Sequence, residues 1–300
     1  MKRNMPGIIL TALLFLTACG SPNSQQSGQS ANSPAQAYIE NKGSDTLVNL
    51  ALAWAEKYQN DHPEVQISVT GGGSGTGFTA LINGSIDVAN ASREIKPEEI
   101  DEAKKNGFEP IEFIVANDAI AVIVNPENPV SKLTLEQVAR IYKGELTNWQ
   151  ELGGEDRPIV RLSRETNSGT HVYFLETVIR LGSKEDKAIF SADTLLLPSS
   201  EGIIAEVSDN PNAIGYDGLG YVTKEVKMIA LANADGAPYI LPSAETVINK
   251  EYPISRHLFM YTRGQPQGVE KEYIDWILSP EAQAIVTELG FVPVIPVETP

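Results

Sequence analysis

Three short segments of the 300-residue chain share one design, a run of small polar or glycine residues just before a helical apolar pattern. They are Gly43-Ser44-Asp45-Thr46 ahead of Leu47, Gly71 to Gly77 (Gly-Gly-Gly-Ser-Gly-Thr-Gly) ahead of Phe78, and Asn167-Ser168-Gly169-Thr170 ahead of His171. A helix start presents about four unpaired N–H groups and roughly half a positive charge. Hydroxyls and glycine amides placed there can cradle an anion, glycine because it lacks the Cβ that blocks close approach. Arg164, four residues before Ser168, adds a permanently charged planar fork matched to phosphate-like oxygens. Ser, Thr, Asp and Gly are also ordinary helix caps, so each cluster alone reads more readily as capping. Three in one chain, with an arginine beside the third, point to a convergent oxyanion site.

Other chemistry finds less support. Gly75-Thr76-Gly77-Phe78-Thr79-Ala80 fits a GxGxxA dinucleotide pattern, but short glycine-rich matches are common, and no Gly-Lys-Ser/Thr follows to make a Walker loop. His62, His171 and His257 stand apart, with no HExxH and no GxSxG elbow. Ser168 and His171, three apart at a helix start, read as a cap and a solvent-facing ring rather than nucleophile and base. No His or Cys pair has metal-ligand spacing. The expectation is therefore no catalytic residue, no metal and no cofactor, with runs such as Glu98-Glu99 and Asp101-Glu102 forming solvated faces.

The elements that must position these clusters alternate as strand and helix from Tyr38 onward, which favours an α/β fold with mainly parallel sheets. Leu47, Leu50, Ala51, Trp54, Ala55 and Tyr58 recur at helical spacing, and Val65 to Thr70 alternates as a strand. Lys96 to Asn106 is a helix with Pro97 in its first turn and Gly107 at its end, and Leu135 to Tyr142 is one capped by Thr134 and stopped at Gly144. Val172, Leu175, Val178 and Ile179 mark a further helix face. Ile111 to Asn125 is too apolar for one surface strand and is broken at Asn117-Asp118, so it reads as a strand, a crossing point and a second strand. Ile159 to Leu162, Ala213 to Tyr216, Val226 to Leu231 and His257 to Thr262 read as short strands, and Val269 to Leu278 and Pro280 to Leu289 as closing helices.

Length and composition bound the rest. Three hundred residues is about twice the commonest single-domain size of roughly 100–150, so two lobes are expected. A net charge of −16 argues against nucleic acid or an anionic membrane surface as the main partner, and 42% hydrophobic residues mark a globular chain. Residues 1–18 read as a signal peptide: Lys2 and Arg3, then an apolar run from Ile8 to Leu16 about half the roughly 20 residues a spanning helix needs. Leu16-Thr17-Ala18-Cys19 resembles a bacterial lipobox, which would make Cys19 the lipidated first residue. Residues 19–37, uncharged and rich in Ser, Gln, Asn, Gly and Pro, read as a flexible leash.

In order, these segments resemble the periplasmic phosphate-binding receptors of ABC importers, the PstS type. The resemblance is carried by Gly43-Ser-Asp-Thr-Leu47, Gly73-Ser-Gly-Thr-Gly77, Asn90-Ala-Ser-Arg93, Ile141 to Trp149, Arg164 to Thr170, Asn212 to Tyr216 and Leu278 to Pro293. It implies a two-lobed periplasmic binding protein fold of type II, each lobe a mainly parallel sheet flanked by helices, with the ligand in the cleft. Its lobes would comprise 38–117 plus 253–300 and 118–252, hinged near Asn117 to Ile120 and Ile254 to Leu258. The family's binding positions fall on Ser44, Thr46, the backbone of Leu47, Ser74, Arg164, Ser168, Gly169 and Thr170. Some members carry an Asp after the third motif's Ser, which accepts the proton of bound phosphate and so rejects sulfate. Here Ser92 is followed by Arg93, so the resemblance makes both of them ligand-binding positions, Arg93 as an added donor, and the acceptor must come from elsewhere, with Asp45 and Asp118 as the candidates.

The resemblance thus implies a monomeric, lipid-tethered receptor that takes inorganic phosphate and passes it to an ABC permease, touching the membrane only through its anchor. Three rivals stand beside it: a receptor for another tetraoxyanion of the sulfate or molybdate class, a phosphate-handling enzyme, and a signalling receptor that feeds no transporter.

Overall fold

The computed structural model describes residues 36–296; the signal peptide, Cys19 and nearly all of the expected leash lie outside the described residues. The chain enters on β1 (Ala37–Gly43), starting one residue ahead of the expected boundary, and runs into α1 (Asp45–Asp61). All six apolar positions anticipated on α1 are buried, so its stripe faces the core as the 3.6-residue period requires. Each fully buried large apolar side chain contributes roughly 1.5–3 kcal/mol. β2 (Val65–Thr70), α2 (Ser74–Asn83), β3 (Val88–Ala91) and α3 (Pro97–Lys105) follow. α3 starts at Pro97 and carries Glu98 and Glu99 in its first turn and Lys104 and Lys105 in its last, which suits the helix dipole at both ends.

β4 (Pro110–Val124) is one continuous 15-residue strand, where the sequence suggested two around a break. The polar pair does mark a change, but of partner rather than of conformation. Residues 110–119 pair antiparallel with β11 (Ser255–Arg263), and residues 120–124 with β8 (Ala213–Gly218). Asp118 lies directly opposite Arg256 and Asn117 opposite His257, and the register slips between Leu258 and Phe259.

Between these crossings the chain forms β5 (Lys132–Thr134), α4 (Leu135–Tyr142), β6 (Val160–Arg164), α5 (Gly169–Phe174), β7 (Leu195–Leu197), α6 (Ser200–Asp209), β8, β9 (Lys227–Met228), β10 (Ala230–Ala232) and α7 (Ala244–Ile248). α4 has the expected bounds because Thr134 and Gln137 form a capping box. The helix face expected over Val172 to Ile179 is split, α5 giving way to a π-helical turn at Leu175–Ile179. The stretch Val226 to Leu231, expected as one strand, is divided between β9, paired with β4, and β10, paired with β5. β11 returns to the first lobe, and α8 (Gly268–Ile277) and α9 (Pro280–Glu288) close it.

The nine-stranded sheet has the order β2-β1-β3-β11-β4-β8-β6-β7, with β9 beside β4. β1 is parallel to β2 and β3, and β6 is parallel to β7 and β8. Each lobe therefore has a parallel core, and the two antiparallel strands β4 and β11 bridge them. α9 is fixed under α1 by the Trp54 indole N–H, which donates to Ala282 O at 2.8 Å. Its last turn leads to Val292, whose main chain exchanges two hydrogen bonds with Asn117 at the crossing. Among the described residues no helix is long and apolar enough to span a membrane, and no cluster of three or more His, Cys, Asp or Glu could hold a metal.

Candidate functional site

The three glycine and hydroxyl clusters meet where strands end. In open α/β sheets ligands bind outside the carboxyl ends of the strands, and here β1, β2 and β6 each lead into a cluster followed by a helix. Gly43 makes the first turn possible: at φ 147° its backbone lies against Asn90 O with no room for a side chain, and the next amide, Ser44 N, donates to Asn90 O at 2.9 Å. That bond joins the first cluster to the Asn90–Arg93 segment at the end of β3.

From this frame the side chains converge. Ser44 Oγ donates to Ser92 Oγ at 2.9 Å, Ser74 Oγ lies 3.3 Å from Ser92 Oγ, and Ser92 N donates to Ser74 Oγ at 3.0 Å. Across the cleft, Thr46 and Thr170, 124 residues apart, place their hydroxyl oxygens 2.9 Å from each other. Gly169 lies against the serines; a Cβ there would overlap Ser74 Oγ and stand 2.6 Å from Ser92 Oγ. All five hydroxyl residues are buried. The lobes also touch through Asn167, which accepts from Gly75 N at 3.0 Å and donates from Nδ2 to Gly72 O at 2.8 Å.

Arg256 of β11 stands over the threonines. Its Nη2 donates to Thr170 Oγ1 at 3.1 Å, Thr46 Oγ1 at 3.3 Å and Asp118 Oδ2 at 3.0 Å, and its Nη1 donates to Ser92 O at 2.8 Å. Asp118 also accepts from Leu219 N at 3.0 Å. Burial pushes the Asp118 carboxyl up to about 6, against the opposing pull of Arg256 and that N–H.

Arg164 is held differently. Its Nη2 donates to Asp45 Oδ2 of the other lobe at 2.7 Å and to Pro198 O at 2.8 Å, its Nη1 to Ser200 Oγ at 2.9 Å, and its Nε to Leu197 O at 3.4 Å. Ser200 Oγ passes its own proton toward Asp217 Oδ1 at 2.9 Å. Asp217 Oδ2 lies 3.7 Å from Arg164 Nη1, and burial raises the Asp217 carboxyl above its ordinary range.

The remaining expected residues fall into place around these. Asp45 Oδ1 accepts from Gly72 N at 2.9 Å, so this carboxylate braces the second cluster as well as Arg164. Leu47 N is engaged by Ser44 O at 3.1 Å as part of the first helical turn. Ser168 Oγ accepts from Thr170 N at 3.2 Å, the ordinary work of a cap. Arg93 does not join the hydroxyls: its guanidinium grips Glu99 with two hydrogen bonds of 2.8 and 2.7 Å and lies 4.8 Å above the Phe78 ring. His171, expected to face solvent, is buried, with Nδ1 3.0 Å from Ser163 Oγ and its ring stacked on Phe190; burial lowers its pKa. Arg256, Ser200 and Asp217 did not emerge from the sequence, which held no cluster or spacing to mark them.

Known proteins resemble this chain in sequence and fold. A family model for the PBP superfamily domain matches residues 28–281. The phosphate-binding protein PstS of Pseudomonas aeruginosa is 33% identical over 85% of this chain and 82% of its own length, and that of Bacillus subtilis is 31% identical over 98% and 95%. The chain belongs to the PstS-type receptors of the PBP superfamily. Among solved structures, a phosphate ABC transporter substrate-binding protein from Clostridium perfringens with bound phosphate superposes with a TM-score of 0.75 at 34% identity, over 86% of this chain and all of that one. An ABC-type phosphate transport receptor from Vibrio cholerae gives 0.68 at 31% identity, over 86% of this chain and all of that one. The two-lobed fold expected of the family is therefore the fold of this chain.

Proposed function

We propose that the protein captures inorganic phosphate between its two lobes and delivers it to the permease of an ABC importer, with no covalent chemistry. The observation that carries this reading is the meeting of Thr46 and Thr170, one from each lobe, under the guanidinium of Arg256. An anion replacing the contact between the two hydroxyls would take donors from both lobes at once, so binding and closure become one event. The pivot is the β4–β11 ribbon, and the lobes divide at residues 117/118 and 252/253.

Asp118 is the better of the two candidate acceptors for the ligand's proton. Asp45 is committed to Arg164 and Gly72, whereas Asp118 sits one residue from the strand's change of partner and shares Arg256 with the threonines. Sulfate has no proton to donate at neutral pH, so a buried carboxylate facing it costs affinity, roughly 1–3 kcal/mol for an unmatched polar group. The chain works outside the cytoplasm as a monomer, tethered through lipidated Cys19, with residues 20–37 as leash.

Calorimetry with phosphate, sulfate and molybdate tests this, beside an assay for phosphomonoester turnover. Phosphate binding with weaker sulfate binding and no turnover is expected. Tighter binding of sulfate or molybdate would move the reading to another tetraoxyanion, and turnover would move it to an enzyme.

A further inference from the structure

The chain between β6 and β7 encloses a second cavity, away from the cleft between the lobes. All its lining residues fall within 166–196, and its volume is about 310 Å³, at the lower end of the roughly 300–1,000 Å³ usual for small-molecule sites. The walls are largely apolar: Leu175, the first residue of the π-helical turn, with Ile189, Phe190 and Leu196. No carboxylate, lysine or arginine lines it. His171 does, but burial lowers its pKa from the ordinary 6.5, so the imidazole is neutral at pH 7. Its ring stacks on Phe190, with 4.4 Å between centroids, and Phe190 in turn joins an aromatic group with Phe174 and Tyr216.

Two observations separate this cavity from an ordinary surface groove. Thr194 lines it and is only 9% exposed, yet its Oγ1 is buried with no hydrogen-bond partner among the described residues. Buried hydroxyls are normally paired, so a lone one in a cavity wall is matched to a group that enters. The other observation is the rim. Ile189 and Leu196 are 69% and 46% exposed, leaving apolar surface open beside the edge strand β7 in a chain of net charge −16.

We propose that this cavity is a binding site for a small neutral aromatic alcohol of the phenol class, its ring against Phe190 and the aliphatic walls and its hydroxyl on Thr194 Oγ1. A charged guest would enter a lining that offers it no counter-charge. A purely aliphatic or aromatic hydrocarbon would leave the Thr194 hydroxyl stranded. A phenol meets both demands, and its ring gains aromatic contact with Phe190. Because the lining shares no residue with the hydroxyl cluster of the cleft, a phenol and phosphate should not displace each other.

The test titrates the full chain with 4-fluorophenol, 4-fluorotoluene and 4-fluorobenzoate, read by fluorine NMR, while methyl NMR of the protein locates the bound probe. Saturable shifts at the methyls of Leu175, Ile189 and Leu196 are expected with 4-fluorophenol, unchanged by saturating phosphate, and none with the benzoate. Thr194→Val keeps the shape of the side chain and removes the hydroxyl, so the affinity ratio of the phenol to the toluene should fall roughly 3- to 10-fold, the range for one neutral hydrogen bond. Thr194→Ser should restore the ratio. Should Thr194→Val not fold, Ala192→Phe, at an exposed position of the lining, should fill the opening and abolish the shifts. Shifts centred elsewhere, displacement of the phenol by phosphate, a ratio that ignores Thr194→Val, or shifts that survive Ala192→Phe would each overturn the assignment. Methyl signals that move with protein concentration alone would overturn it too, by showing that a second copy of the chain covers the rim.

Discussion

Arg164 and Arg256 are both buried, both paired with an aspartate and both in one cleft, yet one is held mainly by its own lobe and the other by groups that can turn. Main-chain carbonyls fix Arg164 as part of the second lobe, and only the Asp45 contact crosses to the first. Arg256 takes hydroxyls from both lobes. An arginine's neighbours, more than its burial, therefore decide how firmly it is fixed.

The sharpest way to break that contrast is to remove each arginine and measure stability. Arg164→Ala should destabilise the fold by roughly 3–5 kcal/mol, the cost of stranding the partners of a buried ion pair. Arg256→Ala should cost less, because Asp118, already pushed up to about 6 by burial, can take a proton and become neutral. Urea unfolding with unchanged slope would show this as a larger midpoint shift for Arg164→Ala. Equal shifts would remove the distinction.

The next effect is one of pH. The folded pKa of Asp118 lies above its ordinary value of 3.8, so between about pH 4 and 6 the folded chain holds a proton that the unfolded chain has lost. Stability from this group is therefore greatest at low pH and declines as pH rises through about 6, by at most about 3 kcal/mol for a shift of roughly two units. Arg256 on β11 and Asp217 on β8 face it with opposite signs, and Tyr173 of α5 also feels its charge. Asp118→Asn should flatten the slope of unfolding free energy over that window. His171, lowered by burial, acts in the opposite sense but is common to both proteins, so it cancels in the comparison.

Gly169→Ala separates the hydroxyl cluster from both arginines. The added methyl would push Ser74 and Ser92 out of place, and both are short side chains at the centre of the cluster. Overpacking of this kind costs roughly 1–3 kcal/mol, so phosphate affinity should fall by about 5- to 150-fold while Arg164 keeps its partners. Calorimetry measures it, and an unchanged affinity would show that the serines do not set the site.

Much of this arrangement was legible in the sequence, for local reasons. Thr134 and Gln137 enclose α4 within a few residues, and the stripe from Leu47 to Tyr58 can face only one way. Asp118 stood out as a polar break in an apolar run. Arg256 did not, since a single arginine near the start of a strand gains meaning only from Asp118, 138 residues away, and from threonines on two other helices. Arg93 misled in the opposite direction. A motif position made it a donor to the site, while Glu99, six residues on at the third position of α3, takes its guanidinium instead. Helix caps and stripes are short-range and survive in one dimension; the partner of a buried charge is set by the fold.

The smallest change tests the contact between the lobes alone. Tyr221 follows β8 in the second lobe, and its hydroxyl donates to Asp45 O at 2.6 Å, fastening the start of α1 across the cleft without touching either guanidinium. Tyr221→Phe removes that single hydrogen bond and little volume, so it should cost about 1 kcal/mol of stability. This variant should weaken phosphate and sulfate binding by the same small factor, because it loosens closure without altering the charge the anion meets. Competition titrations read the ratio of the two affinities. A ratio that moved with Tyr221→Phe would mean that closure and anion discrimination share the Asp45 side of the cleft.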